Sequence, residues 1–149
     1  MLGGAGIFAS MALPRFVDDS PYEDEESDIL TDLGSEKPDA SVLVSYLIEH
    51  LGADLTAYLA GVDEPDQVER WASGEVDPDP LPLGRLRSGY AAAGYLVRAY
   101  DGETAQSWFS GMNPWLDDEA PAYVLRHTHE PEIWESVVEA AEEFVEFER

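Results

Sequence analysis

The sequence predicts an all-α fold, on three observations. From residue 39 onward the apolar residues recur at helical spacing. Gly, Pro and Asp fall where helices start and stop. No segment shows the alternation of a strand. Of the 149 residues 44% are hydrophobic, enough to bury one core.

The elements follow in order. Val42, Leu43, Tyr46, Leu47 and Leu51 share one helix face, with Asp39 or Ser41 as its cap and Gly52 as its end. A short helix, Asp54 to Leu59, ends at Gly61. Asp63 is expected to cap a third, with Pro65 in its first turn and Gly74 after Ser73. Its inward face is Val68, Trp71 and Ala72. Glu75 to Pro82 holds three prolines in eight residues and is expected to be a loop. Leu83, Leu86, Tyr90, Ala93, Val97 and Tyr100 then stripe one long helix from Pro82. Asp101 or Thr104 starts the next, Glu103 to Ser110. Gly111 and Asn113-Pro114 break it, and Pro121 to His127 forms another. The last helix, Glu132 to Glu148, sets Ile133, Trp134, Val137, Val138, Ala141, Phe144 and Val145 against Glu135, Glu139, Glu142, Glu143 and Glu146.

Thirty-two acids face eight bases, a formal charge of −24. Such a surface repels phosphate backbones and favours basic partners; solubility or a high-salt cytoplasm accounts for the charge as well. Residues 18–39 hold ten acids and Lys37 as the only base, so residues 1–40 are expected to be an acidic, flexible leader. Met1 to Leu13 is apolar, but no Lys or Arg precedes it and glycines interrupt it, which makes a poor signal peptide. No run of about 18 apolar residues marks a membrane span. The absence of cysteine excludes disulfides and thiolate chemistry. A cytoplasmic setting is expected, with no membrane partner.

Asp54–Leu59 and Glu64–Ser73, joined through Gly61, have the spacing of a helix-turn-helix. A DNA reader would present polar side chains from the second helix. Gln67 and Arg70 suit that task, and Arg85, Arg87 and Arg98 would have to gather with Arg70 on one face. Glu64, Asp66 and Glu69 oppose it. The reading favoured over it is that the same two helices are packing units with no nucleic-acid role.

The order helix-turn-helix, Pro-rich loop, long helix and A-x-x-W-F-x-x-x-N-P-W-L resembles the Xre/MbcA/ParS-like antitoxins, in their actinobacterial form. The matching residues are Leu51 to Val62, Val68 to Gly74, Leu86, Ala105, Trp108, Phe109, Asn113, Pro114, Leu116, Pro121 and Leu125. The likeness runs from Ser41 to Phe147. It implies helix-turn-helix-like helices with a long connecting helix over 41–100 and a toxin-binding region over 101–149. It implies a partner, a RES-domain toxin that consumes NAD and whose active-site entrance is obstructed. Operator binding through the helix-turn-helix is a further family property, which the acidic recognition-helix region disfavours here. The contact residues are expected among Trp108, Phe109, Asn113, Pro114, Trp115, Leu116 and the chain end Phe144, Phe147 and Arg149. Each of the corner residues also has a reading as ordinary core or as a turn cap. Members of this kind associate as dimers through their helices, and Ala91-Ala92-Ala93-Gly94 would allow close helix approach.

Little else points to chemistry. His127-Thr128-His129 with Glu130 and Glu132 lacks a shared helix face for a metal. No nucleophile elbow, phosphate loop or H-E-x-x-H is present. The expectation is a non-enzyme without cofactor. Two other readings remain: a transcriptional regulator acting through residues 54–74, and an acidic adaptor or DNA-mimicking protein for a basic partner.

Overall fold

The computed structural model describes residues 38–148. Among the described residues seven α-helices run in order: α1 (Ala40–Leu51), α2 (Ala53–Ala60), α3 (Pro65–Ser73), α4 (Pro80–Ala99), α5 (Gly102–Ser110), α6 (Pro121–His127) and α7 (Pro131–Glu148). One 3-10 turn, Pro114–Leu116, lies between α5 and α6. No strand forms among the described residues; a lone antiparallel bridge joins Asn113 and Glu119. No described helix is long and apolar enough to cross a membrane. The leader expected over residues 1–40 lies almost wholly outside the described residues, as does Arg149.

Four helices begin on proline: Pro65, Pro80, Pro121 and Pro131. The first helical position needs no N–H, and proline's fixed φ suits it. This corrects the loop expected over 75–82. The long helix begins at Pro80, its first turn closed by Leu83 N donating to Asp79 O at 2.9 Å. Pro82 is tolerated because the first four helical N–H groups have no intrahelical partner. The cap expected at Asp63 is also corrected. Glu64 precedes α3, and the Asp63 carboxylate instead receives Arg126 Nη2 at 2.7 Å.

The central element is α4, which packs on α1, α2, α5, α6 and, most extensively, α7. Its buried side runs Arg85, Leu86, Gly89, Ala92, Ala93, Leu96. Leu43, Val44 and Leu47 of α1, Leu59 of α2 and Phe109 of α5 complete the core, joined by Leu125 of α6 and Val137 of α7. Each such side chain contributes roughly 1.5–3 kcal/mol of hydrophobic burial. Helices on both sides of residue 100 pack into one compact unit. Ala92, Ala93 and Gly94 are buried within the fold. Ile133 of α7 and Tyr100, both expected to face inward, are exposed.

The close approach of α4 and α7 depends on Gly84. A Cβ there would lie 2.5 Å from Trp134 Cζ3, in a buried indole with little room to move. Gly84→Ala is therefore expected to destabilise the domain by about 1–3 kcal/mol through overpacking. That outweighs the gain of about 1 kcal/mol in helix propensity. Thermal unfolding decides the matter, since a raised midpoint would mean that propensity wins.

Two arginines fasten the C-terminal end of α2. Arg85, only 5% exposed, donates from Nη1 to Ala60 O (3.3 Å) and from Nη2 to Thr128 O (2.9 Å). Arg126 of α6 donates from Nη1 to Tyr58 O (2.9 Å) and Val62 O (3.3 Å), and stacks over the Tyr58 ring at 4.8 Å. Carbonyls at a helix C-terminus lack intrahelical donors and carry partial negative charge, so cations are favoured there. Burial first, then the neighbouring Arg126, pulls the Arg85 guanidinium below its ordinary value. It still remains charged, as arginine does throughout the physiological range. Gly61, at φ 91°, ends α2, and a Cβ on it would collide with Arg85 Nη1.

Candidate functional site

The site is built from the end of α5 upward. Asp101 caps α5, its Oδ1 accepting from Thr104 N at 2.8 Å. That backbone N–H, and then the Thr104 hydroxyl, hold the Asp101 carboxyl below the ordinary carboxylate range. A lowered folded pKa gives stability that is complete above the unfolded value and lost as pH falls through the folded one. Asp101→Ala is thus expected to lower the melting temperature at neutral pH, with the deficit shrinking well below about pH 4. A deficit that stays constant down to acid pH would rule out the carboxylate as its source.

Near the far end of α5, Trp108 and Phe109 meet edge to face, centroids 5.1 Å apart. Phe109 is wholly buried, which corrects its expected role as a direct contact. Trp108 is also buried but lines the surface groove described below. Its Nε1 is buried without a hydrogen-bond partner among the described residues. An unmet buried donor costs about 1–3 kcal/mol.

Past Gly111 the chain cannot continue as helix, because Asn113 precedes proline. Asn113 organises the corner instead. Its Oδ1 accepts from Trp115 N at 2.9 Å, and its backbone oxygen accepts from Leu116 N (2.9 Å) and Asp118 N (2.8 Å). Glu119 N donates back to Leu116 O at 3.1 Å. Asp117 and Asp118 have left-handed φ values of 58° and 68°, a conformation Asp tolerates better than most residues. The corner sends Leu116 inward and leaves Trp115 55% exposed.

From α7, Phe147 meets Trp115 edge to face at 6.5 Å, and Phe144 packs edge to face with Tyr100 at 5.9 Å. Trp115, Phe144 and Phe147, together with Trp108, Met112, Asn113 and Pro114, line a groove of about 480 Å³. Met112 is 81% exposed and Phe147 79%. With Trp115 they are three of the four most exposed large hydrophobic residues in the described chain. A concentration of this kind marks an interaction surface more readily than scattered exposed apolar residues do. Trp108, Asn113, Pro114, Trp115, Phe144 and Phe147, all expected at the site, are thus brought together. Leu116 is buried beneath the corner and outside the groove lining. Met112 was missed by sequence reasoning. Its signal was a large apolar side chain stranded between Gly111 and Asn113-Pro114, with no helix to bury it.

The basic face expected of a DNA reader does not assemble. Arg85 lies in the interior, bonded to two backbone carbonyls, which corrects its expected place on a DNA-facing surface. Arg70 is exposed in a shallow depression with Asp66, Glu69, Ser73 and Glu75. Gln67 and Arg87 are half-buried. His127, the end of α6, packs against the Tyr123 ring at 4.2 Å.

Fold and groove define a helical, strongly acidic domain with an aromatic cleft at its surface. The chain matches no protein-family model, no curated protein and no solved structure.

Proposed function

We propose that this chain is an antitoxin-like inhibitor of the Xre/MbcA/ParS type. It binds a RES-domain toxin that consumes NAD and obstructs its active-site entrance, acting by stoichiometric binding and not by catalysis. The observation that carries this reading is the groove. Of the residues that carry the family resemblance in the second half of the chain, Trp108, Asn113 and Pro114 line it, with Trp115 and Phe147 on the rim. Aromatic side chains on a rigid support are the usual anchors of protein interfaces. An acidic inhibitor is also steered towards the basic cleft that a dinucleotide-handling enzyme needs.

The regulator reading has less behind it, because Arg85 is committed to the interior and Arg70 sits among acids. The test is a titration of the purified chain into a RES-domain toxin encoded beside it, with NAD consumption followed. Complete inhibition near one equivalent is expected. Undiminished NAD loss in the presence of excess folded protein would sink the proposal, as would a neighbouring gene that encodes no toxin.

A further inference from the structure

The groove is apolar, but its surroundings are not. Between residues 102 and 148 the sequence holds twelve acidic side chains against Arg126 as the only Lys or Arg. That arginine is already paired with Asp63. Asp117, Asp118 and Glu119 follow Leu116 directly and are exposed. Glu143 lies one helical turn before Phe147, on the same face, and Glu146 is adjacent; both are exposed. An uncharged aromatic cleft is therefore flanked by exposed carboxylates on two of the elements that build it, the corner and α7.

We infer that the groove receives a segment of a partner protein carrying one large apolar side chain flanked by Lys or Arg. The apolar side chain fills the space between Trp115, Phe147 and the Trp108 floor, and the flanking cations meet the carboxylates. Charge complementarity selects this occupant. A nucleic acid or an anionic membrane would bring phosphates against the same acids. A second copy of the chain would bring its own net charge of −24. A volume of about 480 Å³ suits one or two side chains, within the roughly 300–1,000 Å³ of ordinary binding clefts. Asn113 fixes the corner by three hydrogen bonds, so little ordering accompanies docking. The inference deepens the inhibitor reading by stating what the toxin must present, and rests on it for the partner's identity alone.

The test uses the full chain and synthetic peptides with a central Phe flanked on both sides by Lys and Arg. Two matched peptides replace the Phe by Ala or the basic residues by Glu. Binding is followed by calorimetry and tryptophan emission, where Trp115 at the rim and Trp108 in the floor report, Trp71 and Trp134 being buried outside the groove. The basic Phe peptide should bind and should weaken as salt rises. Loss of the peptide Phe, Trp115→Ala or Phe147→Ala should each cost about tenfold or more in affinity. Glu143→Gln with Glu146→Gln should weaken binding and flatten its salt dependence. The inference is overturned if the Ala peptide binds as tightly, if the acidic peptide does, or if Trp115→Ala is without effect. It is also overturned if Trp115 in the free full chain is shielded from acrylamide, since the groove would then be covered by the chain itself or by a second copy. Failure here alongside complete toxin inhibition removes the groove assignment only. Peptide binding with no effect on the toxin removes the toxin assignment and leaves the groove.

Discussion

Replacing Arg85 by Ala is expected to produce the largest stability loss of any single polar substitution in the domain. The change removes donors to Ala60 O and Thr128 O and leaves a void beside Gly61. Thr128 O keeps a second donor, Trp134 Nε1 at 3.3 Å, so the heavier loss falls on Ala60 at the end of α2. Leaving a buried carbonyl unmet costs about 1–3 kcal/mol, and the void adds to it. A total of about 2–4 kcal/mol lowers the melting temperature by roughly 4–8 °C per kcal/mol in a domain of this size. Arg85→Met is the informative companion. Apolar replacement of buried charges is often neutral where both partners of an ion pair are replaced. Here the acceptors are backbone carbonyls and stay behind, so Met is expected to destabilise as well. Arg85→Lys keeps the charge but lacks the fork that reaches two carbonyls, and should fall between. An unchanged melting temperature for Arg85→Ala and Arg85→Met alike would show that the staple contributes nothing.

The largest functional effect is expected from Trp115→Ala combined with Phe147→Ala. Both rings are exposed, so stability should change by no more than about 0.5 kcal/mol each. Affinity for the protein partner should fall about 30-fold or more, the loss typical when an aromatic anchor is truncated. Phe109→Ala should do the reverse of this. It empties the core beneath the groove and costs about 3–5 kcal/mol of stability. Measuring melting temperature and partner affinity on the same preparations separates the two classes. Wild-type affinity in the Trp115→Ala, Phe147→Ala double variant would remove the rim from the interface.

The contrast between Phe109 and Trp115 also shows what could be read from residue order. Helix positions were legible because proline, glycine and aspartate act locally: Pro65, Gly61 and Asp101 do their work within one turn of where they stand. The corner was legible as a break, since Asn113-Pro114 cannot be helix. Which of its rings face solvent was not, because that depends on α1, α4 and α6 closing around α5 to bury Phe109, while Trp115 is left at the rim beside α7. Arg85 was misplaced for the same reason. An arginine beside Leu86 reads as a solvated neighbour of a core residue. Its interior position follows from Gly89 and Ala92, one and two turns along the same face, which make α4 narrow, and from the carbonyls that α2 and α6 bring to it. The spacing Arg85, Gly89, Ala92, Leu96 was present in the sequence. Only the meeting of three helices gives it meaning.

Asn113 divides the corner into parts with different freedom to change. Its hydrogen bonds run to backbone atoms, so the turn keeps its shape whatever side chains stand at 112 and 115. Leu116 and Phe109 answer to the core, whereas Met112, Trp115 and Phe147 answer only to whatever they touch outside. Descendants of this chain can therefore exchange the rim residues, and with them the partner they recognise, while the turn that presents those residues passes unaltered from one lineage to the next.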